Sequence, residues 1–175
     1  MSDRHELKTK QKLKQSPTNQ IKISPTFPWI VLAWFSFGIT LGLIFDSGID
    51  WKAPLSEVYE TNFSQISKYK LFCWISSIYI VSSPAVFLFF WKYGFKEIIL
   101  RKGVETVFIL LSIIGIMIAL GQVGFEGNNK YSSLIRQLVQ STDWIGATIL
   151  VFTGYYCFTT SLVISLKGKR SSRHV

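Results

Sequence analysis

Residues 27–45 read FPWIVLAWFSFGITLGLIF, a run without one ionisable side chain. Three more stretches share this character: LFCWISSIYIVSSPAVFLFFW at 71–91, TVFILLSIIGIMIALGQVGF at 106–125 and WIGATILVFTGYYCFTTSLVISL at 144–166. About 20 apolar residues in a helix cover the roughly 30 Å of hydrocarbon in a bilayer. A helix also satisfies its own backbone polar groups where no water can. The sequence therefore predicts an all-α membrane protein of four transmembrane helices, Phe27–Phe45, Leu71–Trp91, Thr106–Phe125 and Trp144–Leu166. They form one domain, 27–166, between a basic tail at 1–26 and another at 167–175. Residues 1–26 lack an apolar run, and no small-residue cleavage site follows Phe45, so the first span is expected to be retained.

The charges lie between the runs, and they alternate. The N-terminal tail carries Arg4, Lys8, Lys10, Lys12, Lys14 and Lys22 against Asp3 and Glu6, a net +4. Lys92 to Glu105 is +2 and the tail after Leu166 is +4, whereas Asp46 to Lys70 is −1 and Glu126 to Asp143 is neutral. Cytoplasmic segments of membrane proteins are enriched in Lys and Arg. The pattern places both termini in the cytoplasm and the protein in the cell inner membrane as a multi-pass chain. The overall charge of +9 is thereby explained by topology, and nucleic acid is not an expected partner. Trp29 and Trp91 mark inner interfaces, Trp74 and Trp144 outer ones; Trp34 lies deeper.

The residues for most catalysis are missing from the runs. His5 and His174 stand in opposite tails, so no histidine pair can hold haem or zinc in the bundle. No glycine loop with lysine suits a phosphate, and no carboxylate pair faces the core. Cys73 and Cys157 fall at different depths and are read as small buried residues rather than a disulfide. The expectation is a protein that is not an enzyme, with no catalytic residue, metal or cofactor. Asn62-Phe63-Ser64 matches a glycosylation acceptor, a triplet common by chance.

Other features concern packing. Gly38 and Gly42 form G-x-x-x-G, and Gly115 and Ala119 repeat its spacing, so these faces can approach a neighbouring helix closely. Gly146, Thr153, Tyr156 and Thr160 lie along one side of the last span, with Gly154 and Cys157 nearby. Contacts within the bundle are the plainer use of these residues, and a homodimer is the other. Pro84, after Ser82 and Ser83, removes a backbone bond from the second span and marks a kink or hinge. The helix is expected to continue past Trp91 through Phe95, Ile98 and Ile99. The short inner loop makes the second and third spans expected neighbours. Both outer loops contain amphipathic stretches, Leu55-Val58-Tyr59-Asn62-Ile66 and Leu134-Ile135-Leu138-Val139. These are predicted short helices that cap the bundle or lie on the outer leaflet. Glu105 and Asp143 sit where a carboxylate favours a helix N-terminus.

The basic N-terminal tail, four spans, long first outer loop and the end of the chain together carry a resemblance. The stretch Trp144 to Arg170 finishes Cys157-Phe-Thr-Thr-Ser-Leu-Val-Ile-Ser-Leu-Lys-Gly-Lys-Arg, an aromatic- and threonine-rich helix running into basic residues. This architecture resembles the inner-membrane immunity proteins against pore-forming colicins. The entry-exclusion proteins of conjugative plasmids are similar in size and character. The resemblance implies a non-enzymatic protein that binds a membrane protein partner within the bilayer; it carries over no site residue. The alternatives are a membrane anchor or assembly subunit of a larger complex, and a small oligomeric channel or transporter with the Thr153–Tyr156–Thr160 hydroxyls along its path.

Overall fold

The computed structural model describes residues 19–101, 103–121 and 143–170. In chain order the elements are β1 (Gln20–Ile23), α1 (Phe27–Gly48), α2 (Ser56–Phe63) and α3 (Tyr69–Phe89), then a π-type turn (Phe90–Gly94). After it come β2 (Phe95–Leu100), α4 (Val104–Ala119), α5 (Trp144–Lys167) and β3 (Lys169–Arg170). The fold is mainly helical. Three segments are long and apolar enough to cross a membrane: α1, α3 together with the π-type turn, and α5. The predicted span at 106–125 appears as the shorter α4, a mainly apolar helix of 16 residues, or about 24 Å at the usual helical rise. Leu120 and Gly121 turn out of it, Gly121 at φ 68°. Residues 122–125, with Gln122, Asn128 and the stretch Leu134–Val139, lie outside the described residues.

Local chemistry sets the helix ends. Pro28 occupies the first turn of α1, where its missing N–H would be unpaired anyway. Gly103, at φ 89°, lets the chain turn into α4. Asp143 caps α5 by accepting the Trp144 N–H at 2.7 Å.

α1 packs on α3, α3 on α5, and α5 on α4. This corrects the expectation that the second and third spans, joined by the short inner loop, would be packed neighbours. α4 lies against α5 because the small residues Ser112, Gly115 and Ala119, all buried, give that face almost no side-chain height. The backbones close in until a Cβ on Gly115 would stand 2.6 Å from Phe158 N. Ser112 Oγ fastens the pair by donating to Phe158 O at 3.0 Å.

The small sheet departs from the all-α expectation. β1 pairs antiparallel with β2, placing Ile21 opposite Ile98, and β2 pairs parallel with β3. Phe95, Ile98 and Ile99, expected to prolong a helix, are strand residues instead. Gln20–Ile23, expected as part of a plain tail, supplies the edge strand. A Lys22–Glu97 ion pair at 2.7 Å crosses β1 and β2, and the Arg101 N–H reaches Asn19 Oδ1 at 2.8 Å.

The sheet is anchored to the helices through the π-type turn. A π turn leaves carbonyls out of the regular ladder, and here other segments take them up. Lys167 Nζ donates to Trp91 O at 2.6 Å and to Phe95 O at 2.8 Å. Thr26 Oγ1 donates to Tyr93 O at 3.1 Å, and Ser24 N to Gly94 O at 2.9 Å. The start of α1 and the end of α5 are thus both tied to the end of α3. Phe27 fills the angle between them, its ring 4.9 Å from Phe90 and 5.2 Å from Phe95.

At the opposite end α2 closes the bundle rather than lying beside it. Tyr59, Phe63 and Ile66 point inward and are buried. The Tyr59 and Phe63 rings meet Phe72 of α3, each at 5.1 Å. The Phe63 ring also covers Gly121, where an added Cβ would meet it.

Candidate partner-binding groove

The site begins at Ser82-Ser83-Pro84. Pro84 has no N–H to give to the carbonyl of Ile80, four residues back. Ser82 Oγ donates to Ile78 O and Ser83 Oγ to Tyr79 O, both at 2.7 Å, which saturates the neighbouring turn. α3 stays helical through Phe89, so Pro84 lies within a continuous helix. Its ring faces outward and is exposed.

Because α4 has moved onto α5, α3 and α4 part and leave a groove. Ile80, Pro84 and Leu88 of α3 form one wall and Ile116 of α4 the other; Tyr155, Thr159 and Leu162 of α5 form the floor. Its volume is about 550 Å³, within the range of sites that take a molecule or a protruding side-chain cluster. The lining is almost wholly apolar. Thr159 is buried beneath the floor, and its Oγ1 has no hydrogen-bond partner among the described residues.

Beside the groove lies a buried polar hub. Tyr59 of α2 donates its hydroxyl proton to Ala119 O at 3.2 Å. Its oxygen is then left to accept from Tyr155, 3.1 Å away. One tyrosine pair therefore joins α2, the end of α4 and the middle of α5. Burial pushes the Tyr59 phenol up from its ordinary 10 to about 12. On the far side of the bundle, Trp34 Nε1 donates to Ser82 Oγ at 2.8 Å and Tyr79 donates to Phe35 O at 2.9 Å.

The eight predicted packing residues do not form one site. Gly38 and Gly42 serve the α1–α3 contact, where an added Cβ would lie 2.6 Å from Tyr79 Cζ and 3.3 Å from Ile75 Cα respectively. Gly115 and Ala119 serve the α4–α5 contact, and their partner there is Gly154. A Cβ on Gly154 would stand 2.5 Å from Ala119 N and 2.7 Å from Gly115 O. Gly146 is half-buried. Thr153 faces outward, its hydroxyl spent on Ile149 O of its own helix at 2.7 Å. Tyr156 belongs to an aromatic group with Phe27, Phe90 and Phe152, and Thr160 is half-buried beyond it. The predicted hydroxyl stripe is thus divided between the outer surface and the aromatic core.

Sequence reasoning set Gly154 beside the packing face rather than at its centre, and missed Thr159 and the Tyr59–Tyr155 pair. Ala147, Gly154 and Ser161, all buried, recur at a seven-residue spacing and were the available sign of the α4-facing side. Nothing in the sequence pairs Tyr59 with Tyr155. Cys73 and Cys157 are free thiols, the first buried and the second half-buried. The described residues hold no group of three His, Cys, Asp or Glu side chains placed for a metal.

Asp143 carries a checkable consequence. Its carboxylate accepts from Ser67 Oγ as well as from the Trp144 N–H. The Ser67 hydroxyl first, and then the backbone amide, hold it below the ordinary carboxylate value of 3.8. A depressed folded-state value means that the stabilisation is complete above about 3.8 and fades as pH falls through the lower folded value. Asp143→Asn is therefore expected to flatten the acid limb of a melting-temperature titration in detergent. An unchanged acid limb would show that the cap does not contribute.

Comparison with protein-family models, with curated proteins and with solved structures finds no match for this chain.

Proposed function

We propose that this chain is a four-span protein of the cell inner membrane, with both ends cytoplasmic. In this reading it acts by holding an apolar segment of a membrane protein partner in the α3–α4 groove. The observation that carries the reading is the groove itself: an apolar cleft of about 550 Å³ between spans. An inserting helix that presses a ridge of side chains into the cleft gains close contact, one of the forces that drive helix association in lipid.

Two contacts support counting α4 as a span. Its start meets α5 near the sheet, where Ser165 Oγ reaches Glu105 O at 3.5 Å. Its end meets α2 at the other pole, through Ala119 O and Tyr59. α4 therefore runs between the same two poles as α5. The cytoplasmic assignment draws support from the sheet, which gathers backbone from the three basic segments at one pole, as the positive-inside rule requires. An immunity or exclusion protein, whose partner arrives from outside the cell, fits this design. An anchor or assembly subunit would hold a resident partner in the same groove.

Ile116→Trp tests the reading, because it fills the groove from the α4 wall, and an unchanged melting temperature shows that the neighbouring α4–α5 contact is intact. A photocrosslinker at Leu88 reports on occupancy. The expected result is one crosslinked partner in wild type, and loss of both the crosslink and protection against a pore-forming toxin or an incoming plasmid in Ile116→Trp. A normally inserted Ile116→Trp protein that keeps the crosslink and the phenotype would overturn it. Passive solute flux through reconstituted liposomes, blocked by the same change, would replace it with the channel reading.

A further inference from the structure

A second groove lies between α1 and α3 and points to a different occupant. Ala33, Trp34 and Phe37 of α1 face Ser82, Val86 and Phe89 of α3 across it, and its volume is about 540 Å³. Its two deep polar atoms, Trp34 Nε1 and Ser82 Oγ, are already bonded to each other, so the groove offers an apolar ligand nothing polar to desolvate. The mouth is at the sheet pole and has another character. Thr26 and Trp29 stand at its lip, and Thr26 is bonded to the backbone of Tyr93. The Tyr93 ring lies 6.2 Å from the ring of Phe89, and Lys92 Nζ is poised 5.1 Å from the Tyr93 centroid. Trp29 and Tyr93 are exposed at 69% and 47%, as interfacial aromatic residues are. Among the described residues Lys92 has no carboxylate partner.

We infer that this groove is a binding site for one anionic glycerophospholipid of the leaflet at the sheet pole. An acyl chain lies along Ala33, Phe37 and Val86, and the phosphate meets Lys92 at the mouth. Charge complementarity selects the headgroup, since among the described residues of the segments gathered at that pole Lys22, Lys92, Lys96, Arg101, Lys167, Lys169 and Arg170 outnumber Glu97 and Glu105. The dry interior selects a chain over a free phosphate. This site is separate from the α3–α4 groove and stands whether or not that groove holds a partner.

The test uses the full-length protein in mild detergent with an equimolar mixture of phosphatidylglycerol and phosphatidylcholine, and native mass spectrometry counts the lipids retained. Wild type is expected to keep one phosphatidylglycerol in preference to phosphatidylcholine. Lys92→Gln is expected to lower that preference roughly five-fold, the effect of one interfacial lysine on an anionic lipid. Ala33→Trp, which fills the groove, is expected to lower retention of both lipids. Equal retention of the two lipids by wild type overturns the proposal. So does a preference unchanged in Lys92→Gln, which would assign it to the basic pole as a whole. Lys92 is an exposed side chain, so its result decides the matter even where Ala33→Trp does not fold.

Discussion

Replacing Gly154 with valine is expected to separate α4 from α5 and lower stability by about 3 kcal/mol, the upper end of the usual range for overpacking. The size follows from what the new atoms would strike. Ala119 N, Gly115 O and Ala119 Cα would lie 2.5, 2.7 and 2.9 Å from the added Cβ. All three are backbone atoms of a helix, and none can rotate aside as a side chain does. The helices must move apart, which also breaks the Ser112–Phe158 bond and draws Ala119 O away from Tyr59. Gly48→Val is the control, since nothing lies within 4 Å of a Cβ there. Denaturant titration in mixed micelles reads both variants. Equal midpoints for the two would mean that the close α4–α5 approach does not hold the bundle together.

Tyr59→Ala is expected to cost about 3–5 kcal/mol, as truncation of a fully buried aromatic does. The side chain is 0% exposed and locks α2 across the end of the bundle. Tyr59→Phe separates its two contributions. It keeps the ring contacts with Phe63 and Phe72 and removes only the hydroxyl, leaving Ala119 O and the Tyr155 hydroxyl without that partner. The loss is then about 1–3 kcal/mol. The alkaline limb gives a second readout. With the Tyr59 phenol raised to about 12 in the folded protein, the unfolded chain ionises first. Stability supplied by the neutral phenol is intact below pH 10 and declines as pH rises from about 10 to about 12. Tyr59→Phe should show a shallower decline than wild type over that interval. Identical alkaline limbs would mean that Tyr59 is not buried as described.

Particular residues show where the sequence was legible. The apolar runs gave α1, α3 and α5 to within three residues at each end, because a membrane span needs only length and the exclusion of charge. Ser82-Ser83-Pro84 showed part of its chemistry, since its hydroxyls do bond carbonyls of the preceding turn, but those of Ile78 and Tyr79 rather than the freed carbonyl of Ile80. Phe95, Ile98 and Ile99 misled because three- and four-residue spacing satisfies a helix. What made them a strand was pairing with Gln20–Ile23 and Lys169–Arg170, segments far away in sequence that carry no sign of one another. The last span misled differently. Its hydroxyls at 153, 156 and 160 were the conspicuous feature, yet in lipid the close contact belongs to the smallest side chain, and that is Gly154. The α3–α4 groove had no sequence sign, because it exists only through α4 choosing α5 over α3.

The small sheet also imposes an order of events on a chain made from its N-terminus. β1 and β2 can pair as soon as β2 has followed α3, so α1 and α3 form a first unit with its own closing clasp. The carbonyls of Trp91 and Phe95 must then wait for Lys167, whose codon is read some seventy residues after theirs. α4 waits as well, because its contact face is Gly154 on a helix not yet made. The middle of α5 thus brings in α4, and its final turn completes the polar clasp. A chain arrested before Lys167 would hold a finished first half beside an unclosed second, and that unclosed half is what a membrane quality-control protease would meet.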